Sequence, residues 1–303
     1  MEDLAYSPHA LINTAPPMLE LSNVYGIEEV HALRYREGKG GRLSSERIRG
    51  KEWPTNGSSV CVNNESPNEN RCHSTEAGAN ALLGINLIFL WLFRNHNYLA
   101  DKLHELNPCW GDDKLYQVAR DINIAMYQHI VYHELMPAVI GQKYLEKNKV
   151  IFPGHVHVDD YDEDLEPRLA QEYVLATRWF HVLQEGRINL YDKHGKMFNQ
   201  LSVVDLSLRT GALTINNTIE GATQGAFRQA CASTDYVIDP EMGERSLGRL
   251  QFVSDVMAAD IMKTRDVGLP PYNRYRELCK LPVAEHFHDL YQWMPKEVRL
   301  QDN

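Results

Sequence analysis

Ala81-Leu-Leu-Gly-Ile-Asn-Leu-Ile-Phe-Leu-Trp-Leu-Phe93 is the longest apolar stretch of this 303-residue chain, and Asn86 is the polar residue inside it. With 13 residues the stretch is too short to span a bilayer, for which a helix needs about 20 apolar residues. We therefore expect a helix buried in a protein core. It is predicted to run from about residue 77 to residue 106 and to be stopped by Asn107-Pro108.

A second long helix is predicted from Asp112-Asp113 to about residue 135, before Pro137. Acidic residues favour a helix N-terminus because they interact with the positive end of the helix dipole. The apolar stripe of this helix consists of Leu115, Val118, Ile122, Ile124, Met126 and Ile130. The two helices, joined by a short loop, form the predicted scaffold of the protein, an antiparallel hairpin.

The remaining elements are also predicted to be mostly helical. Shorter helices are expected at residues 27–34, within 201–232, over 247–264 and up to Cys279, while residues 186–200 and 234–246 are expected to form turns and loops. The chain has neither a phosphate-binding nor a dinucleotide-binding glycine motif, and it has no G-x-S-x-G nucleophile motif. We predict a mainly α fold with little or no β structure.

The charge of the chain limits its partners. It carries 41 acidic and 31 basic residues, a net charge of −10, without a basic stripe. Such a surface repels nucleic acid, so we expect no nucleic-acid partner. The first 18 residues lack the basic and apolar regions of a signal peptide, and no membrane segment is visible, so we expect a soluble chain.

Residues 172–183, Glu-Tyr-Val-Leu-Ala-Thr-Arg-Trp-Phe-His-Val-Leu, form a predicted helix that carries the candidate chemistry. Arg178 and His181 are three residues apart, so their side chains leave the same helix face. Burying an unsatisfied polar group costs about 1–3 kcal/mol, so both side chains need partners on this mostly apolar face. Two interpretations stay open: a core histidine bonded to a carbonyl group, and an axial imidazole ligand of haem iron.

Two other histidine pairs have spacings that suit a metal ion. His129 and His133 are four residues apart on the second long helix, but the glutamate of an H-E-x-x-H motif is missing. His155 and His157 precede a run of acidic residues, which forms either a solvated loop or a site for a divalent cation.

Six motifs follow one another along the chain. They are Ser22-Asn-Val-Tyr-Gly26, Cys61-x10-Cys72, Phe93-Arg-Asn-His-Asn-Tyr-Leu-Ala100, Asn107-Pro-Cys-Trp-Gly-Asp-Asp-Lys-Leu-Tyr-Gln-Val-Ala-Arg120, Met126-Tyr-Gln-His-Ile-Val-Tyr-His-Glu-Leu-Met-Pro137 and Arg265-Asp-Val-Gly-Leu-Pro-Pro-Tyr-Asn273. This series resembles the animal haem peroxidase family (the peroxidase–cyclooxygenase superfamily), from about Leu11 to Tyr291. The resemblance implies one partial haem peroxidase-like domain over residues 1–303, with a loop-rich part (1–75), a helical hairpin (76–141) and proximal haem-side helices (142–303).

The resemblance gives the helix at 172–183 a role. Arg178-Trp-Phe-His181 falls where the family has R-x-x-H, which implies that His181 is the proximal ligand of haem iron and Arg178 a catalytic residue. Asp260 falls at the position of the family's asparagine, which accepts the second N–H of that imidazole. The implied cofactor is haem b, bound through His181 with Asp260 as its acceptor.

Other family positions are occupied differently. The distal arginine position falls on Gly78, and the glutamate that esterifies haem falls on Ala81, so haem is expected to be bound without a covalent link. The family's distal histidine lies upstream of the Ser22 motif, and His9 stands in no matching context. The chain also ends at Asn303, before the family's usual C-terminal helices, so the resemblance implies a domain truncated at both ends. Of the calcium loop only Glu20 and Ser22 remain, which offer few ligands for calcium.

The implied function is haem-dependent oxidation of a small electron donor by hydrogen peroxide, in the response to oxidative stress, with activity impaired because distal residues are missing. The alternative is a catalytically inactive peroxidase-homology domain that acts as a folding or protein-interaction module. Leu90-Trp-Leu-Phe-Arg-Asn-His-Asn and Met126-Tyr-Gln-His-Ile resemble that domain of dual oxidases. The family resemblance also implies an extracellular or secretory location.

Five cysteines leave at least one thiol unpaired within the chain. Cys61 and Cys72 bracket ten mostly polar residues and are the best candidates for a local disulfide, which implies an oxidising compartment. The pairing of Cys109, Cys231 and Cys279 stays open. The N-glycosylation pattern occurs in Asn56-Gly-Ser, Asn64-Glu-Ser and Asn216-Asn-Thr.

The disulfide can be tested directly. Closing a loop of about a dozen residues is expected to contribute roughly 3 kcal/mol to the free energy of unfolding in the chain-entropy model. Peptide mapping without reduction should show Cys61 and Cys72 in one linked species when the chain folds in an oxidising compartment. Free alkylation of both cysteines in secreted protein would contradict the pairing.

Overall fold

The computed structural model describes residues 16–55, 61, 72–75, 77–154, 158–159, 161–233, 237–245 and 255–294. The chain divides into two compact units. Of the described residues, the scaffold unit comprises those within Thr14–Arg168 and Arg187–Gln229, and the histidine unit comprises those within Leu169–Gly186 and Ala230–Asn303. Of the residues that the structure describes, 53% are helical and 9% lie in strands, which confirms the predicted mainly α fold. The finer division of one domain at residues 75 and 141 stays a prediction.

The elements follow the chain in this order. The first are α1 (Ser22–Tyr25), α2 (Glu29–Tyr35), β1 (Ser45–Ile48), β2 (Lys51–Pro54), a 3₁₀ segment (Ala77–Asn80), α3 (Leu83–Leu106), α4 (Asp112–Ile130), a π-helical segment (Val131–Leu135), α5 (Met136–Ile140) and α6 (Gln142–Lys147). They are followed by α7 (Gln171–Ala176), a 3₁₀ segment (Thr177–Leu183), β3 (Arg187–Tyr191), β4 (Met197–Ser202), a 3₁₀ segment (Thr210–Thr214), α8 (Thr218–Arg228), α9 (Pro240–Glu244), α10 (Val256–Asp266), α11 (Tyr272–Leu278) and a 3₁₀ segment (Phe287–Gln292).

The predicted hairpin of two long helices is α3 and α4, and it forms the core of the scaffold unit. The large side chains of α3 that are buried in this core are Leu83, Leu87, Phe89, Leu90 and Phe93. Each contributes about 1.5–3 kcal/mol through removal of apolar surface from water. At the start of α4, the guanidinium of Arg36 lies 2.6 Å from carboxylate oxygens of both Asp112 and Asp113. The two acidic residues therefore pair with an arginine in addition to beginning the helix.

A buried chain of hydrogen bonds joins α1, α3, α4 and the loop before β1. Asn123 donates from its amide nitrogen to the Tyr25 hydroxyl (2.9 Å), and that hydroxyl lies 3.0 Å from Nδ1 of His96. Nε2 of His96 lies 2.9 Å from the carbonyl oxygen of Gly41. Because the carbonyl only accepts, Nε2 carries the proton and Nδ1 accepts from Tyr25. Burial lowers the pKa of His96 to about 4, so the ring is neutral at neutral pH.

Only glycine fits at position 41, because of the backbone conformation there and the close approach of α4. Its φ is +73°, and a Cβ at this position would lie 2.5 Å from Cβ of Leu115 on α4. A side chain would therefore separate the loop from α4 and move the carbonyl oxygen away from His96.

Residues 186–200, which are predicted to be rich in turns, form a β-hairpin over most of their length, and these strands were not predicted. β3 pairs antiparallel with β4, with Ile188 opposite Leu201, and the predicted turn is the tight connection between the strands. Asp192 accepts hydrogen bonds from the backbone N–H groups of His194 and Lys196, both at 2.9 Å, which fixes this connection. A second antiparallel pair, β1 with β2, lies in the N-terminal part.

Most helix predictions are confirmed, with local differences. The helix predicted at 172–183 begins as α7 and ends as a 3₁₀ segment, and the helix predicted to reach residue 135 changes to π-helical geometry at Val131. A short helix, α9, occurs within the predicted loop at 234–246, because Pro240 suits its first position and Asp239 caps it by accepting from the N–H of Glu241 (2.8 Å). Residues 247–254 of the predicted helix at 247–264 lie outside the described residues, and α10 covers the rest.

The predicted Cys61–Cys72 disulfide is present, with 5.8 Å between the two Cα atoms. Cys109, Cys231 and Cys279 are exposed free thiols. Asn56 and Asn64 of the first two glycosylation patterns lie outside the described residues, as do His155 and His157. Among the helices that the structure describes, none has the length and apolar character needed to cross a bilayer.

The neutral state of His96 predicts a specific dependence of stability on pH. Its folded-state pKa of about 4 lies below the ordinary value of 6.5, so the unfolded chain binds more protons between these values. The free energy of unfolding should therefore fall as pH decreases from about 6.5 to about 4, with a contribution of about 3 kcal/mol from this residue. Denaturant unfolding at pH 7, 6, 5 and 4 measures this dependence of the free energy of unfolding on pH.

His96→Gln removes the titrating group and keeps a donor and an acceptor. The variant should be less stable than the parent at pH 7 but lose less stability toward pH 4. The exposed His104, on the last turn of α3, offers the control His104→Gln, which should keep the parent's pH dependence. Equal acid sensitivity of His96→Gln and the parent would show that His96 does not set this dependence.

Candidate functional site

The histidine unit brings His181 and Asp260 into direct contact. His181 lies on the 3₁₀ segment after α7, and Asp260 lies on α10, 79 residues further along the chain. Nδ1 of His181 is 2.5 Å from Oδ2 of Asp260. A carboxylate only accepts, so Nδ1 donates this hydrogen bond. In the neutral ring the proton is thereby held on Nδ1, and the lone pair is left on Nε2.

Arg178 shares the same carboxylate. Its Nη1 lies 3.4 Å from Oδ1 of Asp260, and its Nε donates to the carbonyl oxygen of Val174 (3.2 Å). The side chain of Asp260 is 9% exposed, whereas those of Arg178 and His181 are about 30% exposed. A carboxylate buried to this extent needs compensation. Arg178 and His181 supply it together, one on each oxygen.

Three further contacts position these two elements in the histidine unit. Asp255 caps α10 by accepting from the N–H groups of Met257 and Ala258, both at 2.9 Å. Gln171, at the start of α7, donates to the carbonyl oxygen of Val267 at the end of α10 (3.1 Å). These contacts were not predicted from the sequence. Asp255 in front of an apolar segment was the signal for the cap, whereas the pairing of Gln171 with a residue 96 positions away has no local signal.

The other nitrogen of His181 is uncommitted. Nε2 makes no hydrogen bond with any residue that the structure describes, and the ring is partly exposed. The open alternative of a core histidine bonded to a carbonyl group is therefore not what the structure shows. The neighbouring Trp179 and Phe180 stack on each other, with 4.3 Å between ring centroids, and both are more than one-third exposed. An oriented imidazole beside apolar surface is chemically suited to ligate haem iron.

Within the described part of the chain, the other candidate ligands do not assemble into a metal site. His129 and His133 stack with 4.6 Å between ring centroids, but no group of three or more His, Cys, Asp or Glu side chains suited to a metal occurs within the described ranges. Glu20, from the calcium loop of the resemblance, lies 3.6 Å from the guanidinium of Arg120. Ala81, at the haem-ester position, has its carbonyl oxygen bonded to the N–H of Leu208 (3.2 Å) in the scaffold unit.

Comparison with known proteins shows the family of this chain. A sequence model of the animal haem peroxidase family matches residues 2–301. "Peroxidase" of Drosophila melanogaster is 31% identical over 283 residues, which cover 91% of this chain and 41% of the relative. "Peroxidasin homolog" of Homo sapiens is 27% identical over 300 residues, which cover 93% of this chain and 20% of the relative.

Solved structures share the fold. Peroxidase A from Dictyostelium discoideum aligns with a TM-score of 0.74 and 22% identity, over 90% of this chain and 52% of that protein. A fatty acid alpha-dioxygenase of Oryza sativa aligns with a TM-score of 0.66 and 17% identity, over 89% of this chain and 48% of that protein. The chain thus spans about half or less of the length of these relatives. Because the family model matches almost the whole sequence, the chain belongs to the animal haem peroxidase family.

Proposed function

We propose that this chain binds haem b without a covalent link, with His181 as axial ligand of the iron, and that it is a peroxidase-type oxidoreductase. The observation that carries the proposal is the hydrogen bond of 2.5 Å from Nδ1 of His181 to Asp260, with Nε2 unpartnered among the described residues. When bound, haem iron supplies the chemistry that reacts with hydrogen peroxide and oxidises a small donor.

The residues of this chain have distinct proposed tasks. Asp260 holds the imidazole orientation and its tautomer, and as a carboxylate it increases the basicity of the ring, which favours ferric iron. Arg178, the predicted catalytic residue, is proposed to act through Asp260: its guanidinium contacts the other carboxylate oxygen and balances the buried charge. Arg178 is thus a positioning residue in this proposal.

The distal positions limit the proposed activity. Peroxide chemistry needs a group that moves a proton and a cation that assists cleavage of the O–O bond. Gly78 stands at the family's distal arginine position and Ala81 at its haem-ester position. Loss of a general base or an electrostatic donor typically costs about 10²-fold or more in rate. The chain is therefore proposed to be a weak peroxidase in this form.

The setting of the proposed activity follows from the disulfide and the relatives. The Cys61–Cys72 disulfide supports folding in an oxidising compartment, and hence an extracellular or secretory location. Hydrogen peroxide and a small electron donor are the proposed substrates, with a role in oxidative stress. The activity proposed is the one that the name of the Drosophila relative states, and the chain spans 41% of that relative.

A second candidate function is a catalytically inactive peroxidase-homology domain, as in dual oxidases, that serves folding or a protein partner. Glycine at position 78 and alanine at position 81 favour it, because neither side chain replaces the family's group. The exposed aromatic side chains of α7 and the 3₁₀ segment after it, including Tyr173 and Trp179, would then contact protein rather than haem.

Haem titration of His181→Ala separates these functions. The purified parent should develop a Soret band with haem, and haem should raise its melting temperature. His181→Ala should show neither change, because its apolar methyl group cannot ligate iron. Its melting temperature without haem should be lower than the parent's, because Asp260 loses a hydrogen-bond partner, so the increase on adding haem is the quantity to compare. Absorption and thermal unfolding with and without haem measure both effects.

His104→Ala is the matched control for this experiment. His104 is exposed on α3 in the scaffold unit, and its removal should leave the Soret band and the haem-dependent melting temperature unchanged. Equal haem binding by His181→Ala and the parent rules out His181 as ligand. Absence of a Soret band in the parent favours the inactive homology domain.

Substitution of Asp260 tests the proposal that this carboxylate orients His181 and increases the basicity of its ring. Asp260→Asn should keep haem bound, because an amide oxygen still accepts the Nδ1 proton, but it should raise the reduction potential by removing the anionic acceptor. Asp260→Leu should weaken haem binding by about 10–100-fold, because the ring loses its partner. Spectroelectrochemical titration and haem affinity are the two measurements. An unchanged potential in haem-loaded Asp260→Asn would mean that another group is the acceptor.

A further inference from the structure

Asn216 lies on an exposed turn of the scaffold unit between the 3₁₀ segment Thr210–Thr214 and α8. Asn216 and Asn217 both have left-handed backbone conformations, with φ of +41° and +60°, which asparagine tolerates better than most residues. Both residues are exposed. Asn216-Asn217-Thr218 is therefore an N-glycosylation pattern whose acceptor asparagine is exposed, while Thr218 is buried at the start of α8.

A groove of about 610 Å³ begins at this turn, and it has the composition of a carbohydrate site. Besides Asn216, its lining includes Tyr191, Asp192, Phe198, Glu220 and Gln224. Sugars present hydroxyl groups, which bond to carboxylates and amides, and faces of C–H groups, which pack on the negative face of an aromatic ring. Both kinds of partner are present.

Phe198 packs with its ring edge against α8 and leaves the rest of the ring open to solvent. A Cβ added to Gly221 on α8 would lie 2.7 Å from Cζ of Phe198, so the ring packs directly on the glycine. The side chain nevertheless keeps 49% of its surface exposed. Gly221 is one turn after Asn217, whose carbonyl oxygen accepts from the Gly221 N–H (2.9 Å). The glycosylation turn and the ring of Phe198 thus belong to the same end of α8.

The polar groups of the groove keep hydrogen-bonding capacity. The amide nitrogen of Gln224 has no partner among the described residues, while its oxygen accepts from Nε of Arg228 (3.3 Å). Asp192 accepts two backbone N–H groups through Oδ1, which leaves Oδ2 for another donor. Glu220 pairs with Lys51 at the side of the groove. The groove therefore offers both an amide donor and carboxylate acceptors to a ligand.

We infer that Asn216 carries an N-linked glycan and that the first sugars of this glycan lie in the groove, against Phe198. The attachment rests on the secretory location of the proposed function. The sugar would cover an aromatic ring that is otherwise half exposed, so the glycan should stabilise the scaffold unit.

The attachment is tested on the full chain, secreted by eukaryotic cells behind an added signal peptide. Peptide mapping after PNGase F, which converts a glycosylated asparagine to aspartate, should mark Asn216. Asn216→Gln should lose this glycan. Asn217→Gln should keep it, because this neighbour shares the exposure and the left-handed conformation but is not the acceptor. An unmodified Asn216 in secreted protein whose Cys61 and Cys72 are linked overturns the inference. A Soret band with haem in that same protein would leave the proposed function standing.

The position of the sugars is tested with a double-mutant cycle on melting temperature. Phe198→Leu keeps apolar packing on Gly221 but removes the ring face. Its effect should be larger by about 2 °C or more in the glycosylated chain than in the Asn216→Gln background. Phe227→Leu, at the exposed far end of α8, should have the same effect in both backgrounds. An equal change in melting temperature by Phe198→Leu in the glycosylated chain and in the Asn216→Gln background would overturn the contact between glycan and ring.

Discussion

A polar side chain within a helical core requires a partner from another part of the chain, and this constraint organises the scaffold unit. An unsatisfied buried donor or acceptor costs about 1–3 kcal/mol. His96 meets the requirement on both sides: Tyr25 comes from a short helix 71 residues earlier, and the carbonyl oxygen of Gly41 comes from a loop 55 residues earlier. The apolar faces of α3 and α4 provide most of the stabilisation but fit together in many ways. The hydrogen bonds of His96 select the arrangement that brings both N-terminal segments against α3.

His181 differs from His96 in how the hydrogen-bonding needs of its two ring nitrogens are met. His96 is fully buried, and both of its ring nitrogens are committed, so it has no capacity for a ligand. His181 commits Nδ1 to Asp260, whereas its Nε2 has no partner in the described part of the chain and its ring is 30% exposed. A histidine with one fixed nitrogen and one open nitrogen is oriented but still reactive. The two histidines therefore differ in the partners of their ring nitrogens: His96 has none left for a ligand, and His181 has one.

Close backbone approach explains the part of the fold that differs from expectation. β3 packs directly on α8 because Gly225 has no side chain: a Cβ there would lie 2.0 Å from the carbonyl oxygen of Asn189. Gln229 then bonds to the backbone of both Asn189 and Arg187, each at 2.8 Å. The alternation of Ile188 and Leu190 is a weak strand signal over five residues. The polar residues from Asp192 to Gly195 give a stronger signal, and this is why the sequence predicts turns here. An isolated two-stranded hairpin is only marginally stable, so this hairpin depends on packing against α8.

The sequence by itself determined the long apolar helix, the acidic start of the next helix, the pairing of Cys61 with Cys72 and the family. These features depend on residues that are close along the chain or on motifs in a fixed order, so local periodicity and spacing reveal them. The family motif also named His181 and Asp260 as neighbours. Only the tertiary structure decided that Arg178 joins the same carboxylate and that α7 ends in a 3₁₀ segment. It also decided that Phe198 rests on Gly221 beside the Asn216 turn. Such contacts join residues that are distant along the chain, and their geometry follows from packing, which no local pattern of residues encodes.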